Sequence, residues 1–432
     1  MARNVPPLGG FYEAQAPLPM TPRQQAESEL ESLEGSYSGW WGVTPIGRVR
    51  SGTSGLDRLT DVEASAEAST VLGQSLRLTA VARPVFLNSG VLNTSSFTGS
   101  NVPYLGTMPA NSANPPAQQF SSGVGGEVQL TTRNLGLAAG YTPSNFLVQN
   151  ITGHFSWRLF GGHFTLFGDR DPVRDTQLSY AGLRDPATIT PLYIGKGWGG
   201  VVSSTGGARI DLGSGGSGFY FSADGGILHG YHVLNNSKAE GAMGAYLRVK
   251  NWPSAGSLTV GGALFGMHYH YDEVGLSWGQ GGYFSPDSYF LAAVPVTFNG
   301  AYKSSFHYLV SGAFGVQTFK QDWQYFYPLN AGLQANLQAT LGCTLAQLAA
   351  HTCGEYPVSV DTSLNYSINS EVSYRFGEHW YLGGFVSANN TDNYNAVSGG
   401  FFFRYALRKQ HASEGYPTGL FPVDGFRPLR VP

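Results

Sequence analysis

The chain has 432 residues, of which 59 are glycine, 13% are aromatic and 12% are charged, with a formal net charge of −3. Charged residues run at about half, and glycine at about twice, the share of an ordinary soluble domain. The small negative charge excludes the basic stripe expected of a nucleic-acid binder, and no apolar run reaches the ~18 residues of a membrane helix, so a membrane protein of this composition must be a closed barrel of strands.

Residues 1–34 are Pro-rich and then acidic, with a helix-compatible run from Arg23 to Glu34. They are expected to form a periplasmic linker with one short helix, too small to fold alone. The first ten residues have no apolar h-region, so no secretory signal is expected in them. From 35 to 407 strand-like stretches follow one another: Tyr37–Arg50, Asp61–Thr70, Leu76–Asn88, Gly125–Arg133, Leu135–Tyr141, Asn150–Phe160, His163–Arg170 and Gly199–Gly213. The second half continues with Phe219–His229, Ala242–Asn251, Leu258–Tyr271, Tyr289–Ala301, Phe306–Lys320, Ser363–Phe376, Trp380–Ala388 and Ala396–Leu407. Residues 408–432 form a Pro- and Gly-rich tail, expected in the periplasm or inserted into the lumen.

The run Ser363–Phe376 shows the pattern most clearly. Leu364, Tyr366, Ile368, Val372, Tyr374 and Phe376 fall on one face of a strand, and Asn365, Ser367, Asn369, Glu371, Ser373 and Arg375 on the other. A period of two held for so long exceeds the about 5–6 residues of a usual soluble strand and suits a tilted bilayer crossing of about 9–11. Short turns alternate with longer loops along the chain, the order of a barrel with short periplasmic turns and long outer loops. The expected fold is therefore all-β: a transmembrane antiparallel up-and-down barrel of about sixteen strands. A barrel of that width is not filled by its own wall side chains and leaves an aqueous bore or takes a plug.

The polar faces name the expected channel lining: Glu63, Glu67, Arg77, Arg83, Glu127, Arg158, Arg209, Asp211, Tyr220, Asp224, Tyr246, Arg248, Glu371 and Arg375. Their mixed signs suit a neutral solute, such as a sugar chain gripped by aromatic faces and hydroxyl-matching polar groups. A generic wet wall is the plainer alternative for any one of them. No P-loop, Gly-x-Ser-x-Gly elbow or His-Glu-x-x-His run occurs, and neither a catalytic set, a metal nor a cofactor is expected. His268, His270 and Asp272 are the nearest thing to an acid/base or metal site, and rim residues of an aromatic girdle are the simpler reading. Cys343 and Cys353 lie ten residues apart, without the four-ligand spacing of a structural zinc site. A disulfide is expected in an oxidising compartment, with two free thiols as the alternative.

Two segments carry a resemblance. Asp171-Pro-Val-Arg-Asp-Thr-Gln-Leu-Ser-Tyr-Ala-Gly-Leu-Arg-Asp-Pro186, followed by Gly197-Trp-Gly-Gly200, and Arg50-Ser-Gly-Thr-Ser-Gly-Leu-Asp-Arg-Leu-Thr60 resemble the C-terminal outer-membrane barrel domain of the bacterial cellulose synthase operon protein C family. The resemblance covers about residues 30–407. It implies a monomeric channel in the bacterial outer membrane, surrounded by lipid, that exports cellulose or a related polysaccharide without covalent chemistry. It also implies an inner-membrane cellulose synthase as partner, reached through a periplasmic tetratricopeptide array of which Arg23–Glu34 would be the last helix and the rest is missing here. The cysteine loop is not an expected feature of that family. Asp171, Pro172, Tyr180, Arg184, Asp185, Pro186 and Trp198 lie on the outer side in this reading, as a gate or as a brace of the rim. A diffusion porin, and a barrel enzyme or adhesin, are the other functional readings that stay open.

Overall fold

The computed structural model describes residues 38–409, except 74, 93–101, 110–118, 133, 187–192, 194, 215, 253–254, 303–304 and 392–393. The expected linker helix over Arg23–Glu34 and the tail beyond 409 lie outside the described residues. Sixteen strands, numbered here in chain order, make up the main sheet apart from the two-residue Leu183–Arg184. They are β1 Trp40–Arg50, β2 Leu59–Leu72, β3 Leu76–Gly90, β4 Gln119–Thr131, β5 Leu135–Tyr141, β6 Ile151–Leu159, β7 Phe164–Pro172 and β8 Gly197–Ser214. The ring continues with β9 Ser217–Tyr231, β10 Asn236–Trp252, β11 Gly256–Tyr269, β12 Ser288–Tyr302, β13 Phe306–Gln321, β14 Ser359–Phe376, β15 Trp380–Thr391 and β16 Tyr394–Ala406. Each pairs antiparallel with its chain neighbours, and β1 pairs with β16, from Trp40 opposite Ala406 to Arg50 opposite Ala396. That last pairing closes the ring and removes both edges, as lipid requires.

The alternation read from sequence is the alternation of exposure. On β14, Leu364, Tyr366, Ile368, Val372 and Tyr374 are exposed, while Asn365, Glu371 and Ser373 are buried. On β2, Val62 is exposed while Asp61, Glu63, Ser65 and Glu67 are buried. Trp41, Trp157, Phe160, Phe219, Trp252, Tyr302 and Phe376 stand exposed near the short-turn end, where the amphipathic rings of a girdle belong. The strand ends differ from the sequence reading in places: β4 begins at Gln119 and β10 at Asn236, six residues earlier than alternation predicts. Those added stretches of strand are rich in Gly, Ser and charge. Phe120 and Val124 are exposed on the first of them but stand too far apart among Ser and Gly to show the alternation, and the second has only Ala239.

One packing detail links the closing strands. Arg404 on β16 and Glu67 on β2 meet at 2.8 Å with both side chains fully buried. They lie on either side of β1, at Gly42, which is opposite both residues in register. A Cβ at Gly42 would stand 2.6 Å from Arg404 Cγ and 2.6 Å from the Phe403 carbonyl oxygen. Glycine there lets the ion pair bridge over the strand. The indole of Trp40 packs 4.1 Å from the guanidinium carbon, so the charge has an aromatic face as well as an anion.

Removing one partner of a buried pair leaves the other charge desolvated, which costs about 3–5 kcal/mol. Glu67→Ala is therefore expected to lower the unfolding free energy of the refolded barrel by about that much, with Gly42→Ala shifting it in the same direction. Urea titration in lipid vesicles, followed by Trp fluorescence, measures both.

Candidate functional site: a polar lumen beneath an interlocked mouth

The described parts of the long loops do not hang free above the ring. The segment after β7 turns inward and forms a one-turn helix, α1 Gln177–Ala181, every residue of which is buried. Thr176 caps it, accepting from the Ser179 N–H. Arg174, just before the helix, reaches Glu63 on β2, five strands away around the ring. Arg48 on β1 donates to the Arg174 carbonyl oxygen and pairs with Asp61 at 3.4 Å. Arg83 on β3 stands 3.6 Å from the second Glu63 oxygen. The Tyr180 ring lies 4.7 Å under the Arg174 guanidinium and packs edge-on against Phe146 at 5.0 Å. Burial alone would push the Arg174 guanidinium down; the attraction of Glu63 overrides it and holds the group above its ordinary value. Gln177 accepts from Ser89 on β3 and donates to Ser121 on β4.

The same loop is tied to its neighbours. Asp175 accepts the Phe284 N–H at 3.0 Å, and the Thr176 hydroxyl donates to the Gly282 carbonyl at 2.8 Å. Asp185 accepts both the N–H and the hydroxyl of Thr107. Gly106 exchanges backbone hydrogen bonds with Leu276 and Trp278, joining the β3–β4 loop to the β11–β12 loop from nearly opposite sides of the ring. Ser277 donates to the Phe326 carbonyl, and Gln280 to that of Tyr325, in the β13–β14 loop. Four loops thus meet over the bore. Leu105, Leu178, Trp198, Leu276, Trp278, Phe284 and Phe326 belong to one apolar cluster at the junction, and Tyr180 and Ala181 of α1 pack with Phe146 in a second.

The Gly197–Gly200 motif is explained by this packing. Trp198 is fully buried and lies 5.4 Å from Trp278. Gly199 has φ +103°, and a Cβ there would stand 2.3 Å from the Leu178 carbonyl oxygen. The chain folds back against α1 only without a side chain at that position. The disulfide is formed between Cys343 and Cys353. It joins the end of α2 Ala331–Leu341 to the segment after α3 Leu345–Ala349, within the β13–β14 loop.

The residues named from sequence separate into two groups. Tyr180, Asp185 and Trp198 are buried in the mouth, Asp171 and Pro172 end β7 below it, Pro186 is half-buried, and Arg184 is exposed. Glu63, Glu67, Arg77, Tyr220 and Glu371 are buried on the inward face, and Arg83, Glu127, Arg158, Arg209, Asp211, Asp224, Tyr246, Arg248 and Arg375 are half-buried on it. Arg209 and Asp211 form a two-bond ion pair beside the Tyr220 ring. Arg77 turns instead to the Ser38 carbonyl and the Ser69 hydroxyl. His268, His270 and Asp272 do not converge: both histidines are exposed while Asp272 is buried in the mouth. Sequence reasoning missed Arg48, Arg174, Asp175, Glu273 and Arg404. The charged pair Arg174–Asp175 in a Pro/Gly loop was the available signal.

Residues 57–408 match the family model of the Cellulose synthase operon protein C C-terminus. Among curated relatives, Cellulose synthase operon protein C of Pseudomonas fluorescens (strain SBW25) is 30% identical over 83% of this chain and 26% of the relative. That of Komagataeibacter xylinus is 31% identical over 81% of this chain and 28% of the relative. The chain thus spans about a quarter of the length of these relatives. Among solved structures, a bacterial polysaccharide outer membrane secretin aligns with a TM-score of 0.47 at 10% identity, covering 85% of this chain and 98% of that one.

Two adjacent carboxyls in the β11–β12 loop make the mouth sensitive to pH. Burial pushes Asp272 up to about 7 and Glu273 well above its ordinary value. Folded-state values raised above the unfolded ones mean packing that is fully stabilised below the unfolded carboxyl pKa, near 4, and weakened as pH rises through about 7. Local opening of residues 272–287 is expected to grow by up to about tenfold per pH unit for each linked proton. Amide exchange corrected for its intrinsic pH dependence measures it, and Asp272→Asn should flatten the curve.

Proposed function

The chain belongs to the cellulose synthase operon protein C family, and from that premise we propose that it is an outer-membrane channel through which a neutral β-glucan, cellulose first among them, leaves the cell. The observation that carries the reading is the pairing of a wide, closed, polar-walled ring with a mouth shut by interlocked loops. A neutral polyhydroxylated chain offers donors and acceptors in equal measure. A wall carrying Arg375, Arg209 and Asp211 can answer both, and the half-buried ring of Tyr246 offers an aromatic surface to sugar. No bond is made or broken in passage; an inner-membrane synthase coupled through a periplasmic scaffold supplies the push. The β7–β8 loop is the gate, and the Arg174–Glu63 pair is its latch.

Interlocking on this scale counts against a permanently open diffusion porin. Single-channel recording of the refolded barrel tests the proposal. The wild type is expected to conduct little. Glu63→Gln and Arg174→Gln are expected to open it more often, and cello-oligosaccharides to reduce the variants' current. Folded, inserted variants that conduct no more than the wild type would sink the latch. A steady wild-type current indifferent to glucan would place the protein with diffusion porins.

A further inference from the structure

The inward face of β4, β6 and β7 brings together an imidazole and three carboxylates that transport of a neutral chain does not call for. His154 on β6 is opposite Asp169 on β7 in register, and its Nδ1 lies 2.7 Å from Asp169 Oδ1. Its Nε2 lies 3.1 Å from Asp171 Oδ1 and 3.9 Å from Glu127 Oε2 on β4. The strand between, β5, presents only small residues there, Gly140 opposite Glu127 and Ala138 opposite His154. The His154 side chain is only 9% exposed and that of Glu127 10%.

The geometry sets the roles. A ring N–H donated from Nδ1 to Asp169 leaves the Nε2 lone pair aimed at two carboxylate oxygens. His154, Asp169 and Asp171 each bring a ligand atom within 4.8 Å of the others, a grouping that a metal ion would draw together. Ligand bonds of about 2.0–2.2 Å put neighbouring ligand atoms roughly 3–3.5 Å apart. The 3.1 Å between His154 Nε2 and Asp171 already fits that range, and Glu127, 3.9 Å from Nε2, joins by turning its side chain toward the pair. A carboxylate on the far nitrogen of a ligating histidine is the usual support of such a centre, fixing its tautomer and orientation. One imidazole with carboxylates suits first-row divalent ions such as zinc or manganese better than calcium or magnesium, which favour all-oxygen shells.

We propose that His154 Nε2, Asp171 and Glu127 bind one divalent transition-metal ion of the zinc class on the lumen wall, with Asp169 as the residue that positions the imidazole. Asp171 stands three positions before Arg174 in the chain. An ion held there ties β4, β6 and β7 together at the root of the β7–β8 loop, and so steadies the mouth in its closed arrangement. The site does not depend on which solute the barrel carries.

Equilibrium dialysis of the metal-stripped, tag-free refolded barrel against low-micromolar zinc, manganese, calcium or magnesium, with elemental mass spectrometry, tests this. One tightly held zinc or manganese per chain is expected, with neither calcium nor magnesium retained. His154→Gln and Asp171→Asn should abolish it, and Asp169→Asn should weaken it by about 10–100-fold. His268→Gln, at an exposed position outside the cluster, should leave it unchanged. Amide exchange at residues 171–177 should slow on adding zinc to the wild type and not to Asp171→Asn. Absence of stoichiometric metal, or binding that survives both His154→Gln and Asp171→Asn, overturns the proposal and leaves a protonated imidazole among the carboxylates.

Discussion

Lipid cannot hydrogen-bond a peptide group, and most of this architecture follows from that restriction. Each strand must find its partners inside the sheet, so the sheet must close. Closure happens at the β1–β16 seam, and the sequence treats the seam with care. Gly42 gives up its side chain so that Arg404 and Glu67 can meet above it, and Trp41 packs outward against Phe403 and Tyr405 of the partner strand. One face of the seam is thereby polar and bridged, the other aromatic and lipid-ready. A ring of sixteen strands then has a bore too wide for wall side chains to fill. Whatever restricts passage must come from the loops.

The loops meet that need by building a second core. In a soluble protein an apolar cluster such as Leu178, Trp198, Trp278 and Phe284 would sit between sheet and helix. Here it lies between loops anchored on opposite sides of the ring, with the strand ends as a collar. Backbone groups that a buried loop would otherwise leave unsatisfied are paired loop to loop, as at Gly106 with Leu276 and Trp278. The mouth is folded rather than merely crowded. On the export reading it would open as a unit instead of leaking.

How much of this was readable before the structure follows from range. The sixteen strands were legible because alternation is local: Val62 against Glu63, or Tyr366 against Asn365, announces its face within two residues. The blurred ends, at Gln119–Val124 and Asn236–Gly241, are those where Gly, Ser and charge erase the alternation without preventing the ladder. The mouth was legible only as a loop with a familiar pattern. Its central contact joins Arg174 to Glu63 across 111 residues of sequence, and no periodicity reports a contact of that range. His154 falls on the polar side of its strand, alternating with Phe155, but its proximity to Asp169 and Asp171 required the register between β6 and β7. The His268–Asp272 grouping failed for the opposite reason. Sequence proximity brought the three residues together, and the end of β11 sends the histidines outward and the carboxylate in.

The choice of charge at the centre of the mouth has a physical logic of its own. A dry core of Leu and Phe would close the bore more firmly, since a buried ion pair gains little or nothing over apolar packing of the same volume. What an ion pair adds is sensitivity to water. While Glu63 and Arg174 are enclosed, separating them costs several kcal/mol. Once solvent or a chain of hydroxyls reaches them, each finds new partners and most of that cost is returned. On the export reading, the arrival of a polyhydroxylated chain from below would lower the barrier to its own exit. A latch made of charges would then yield to polar groups that enter the mouth, which a latch of side-chain carbon would not do.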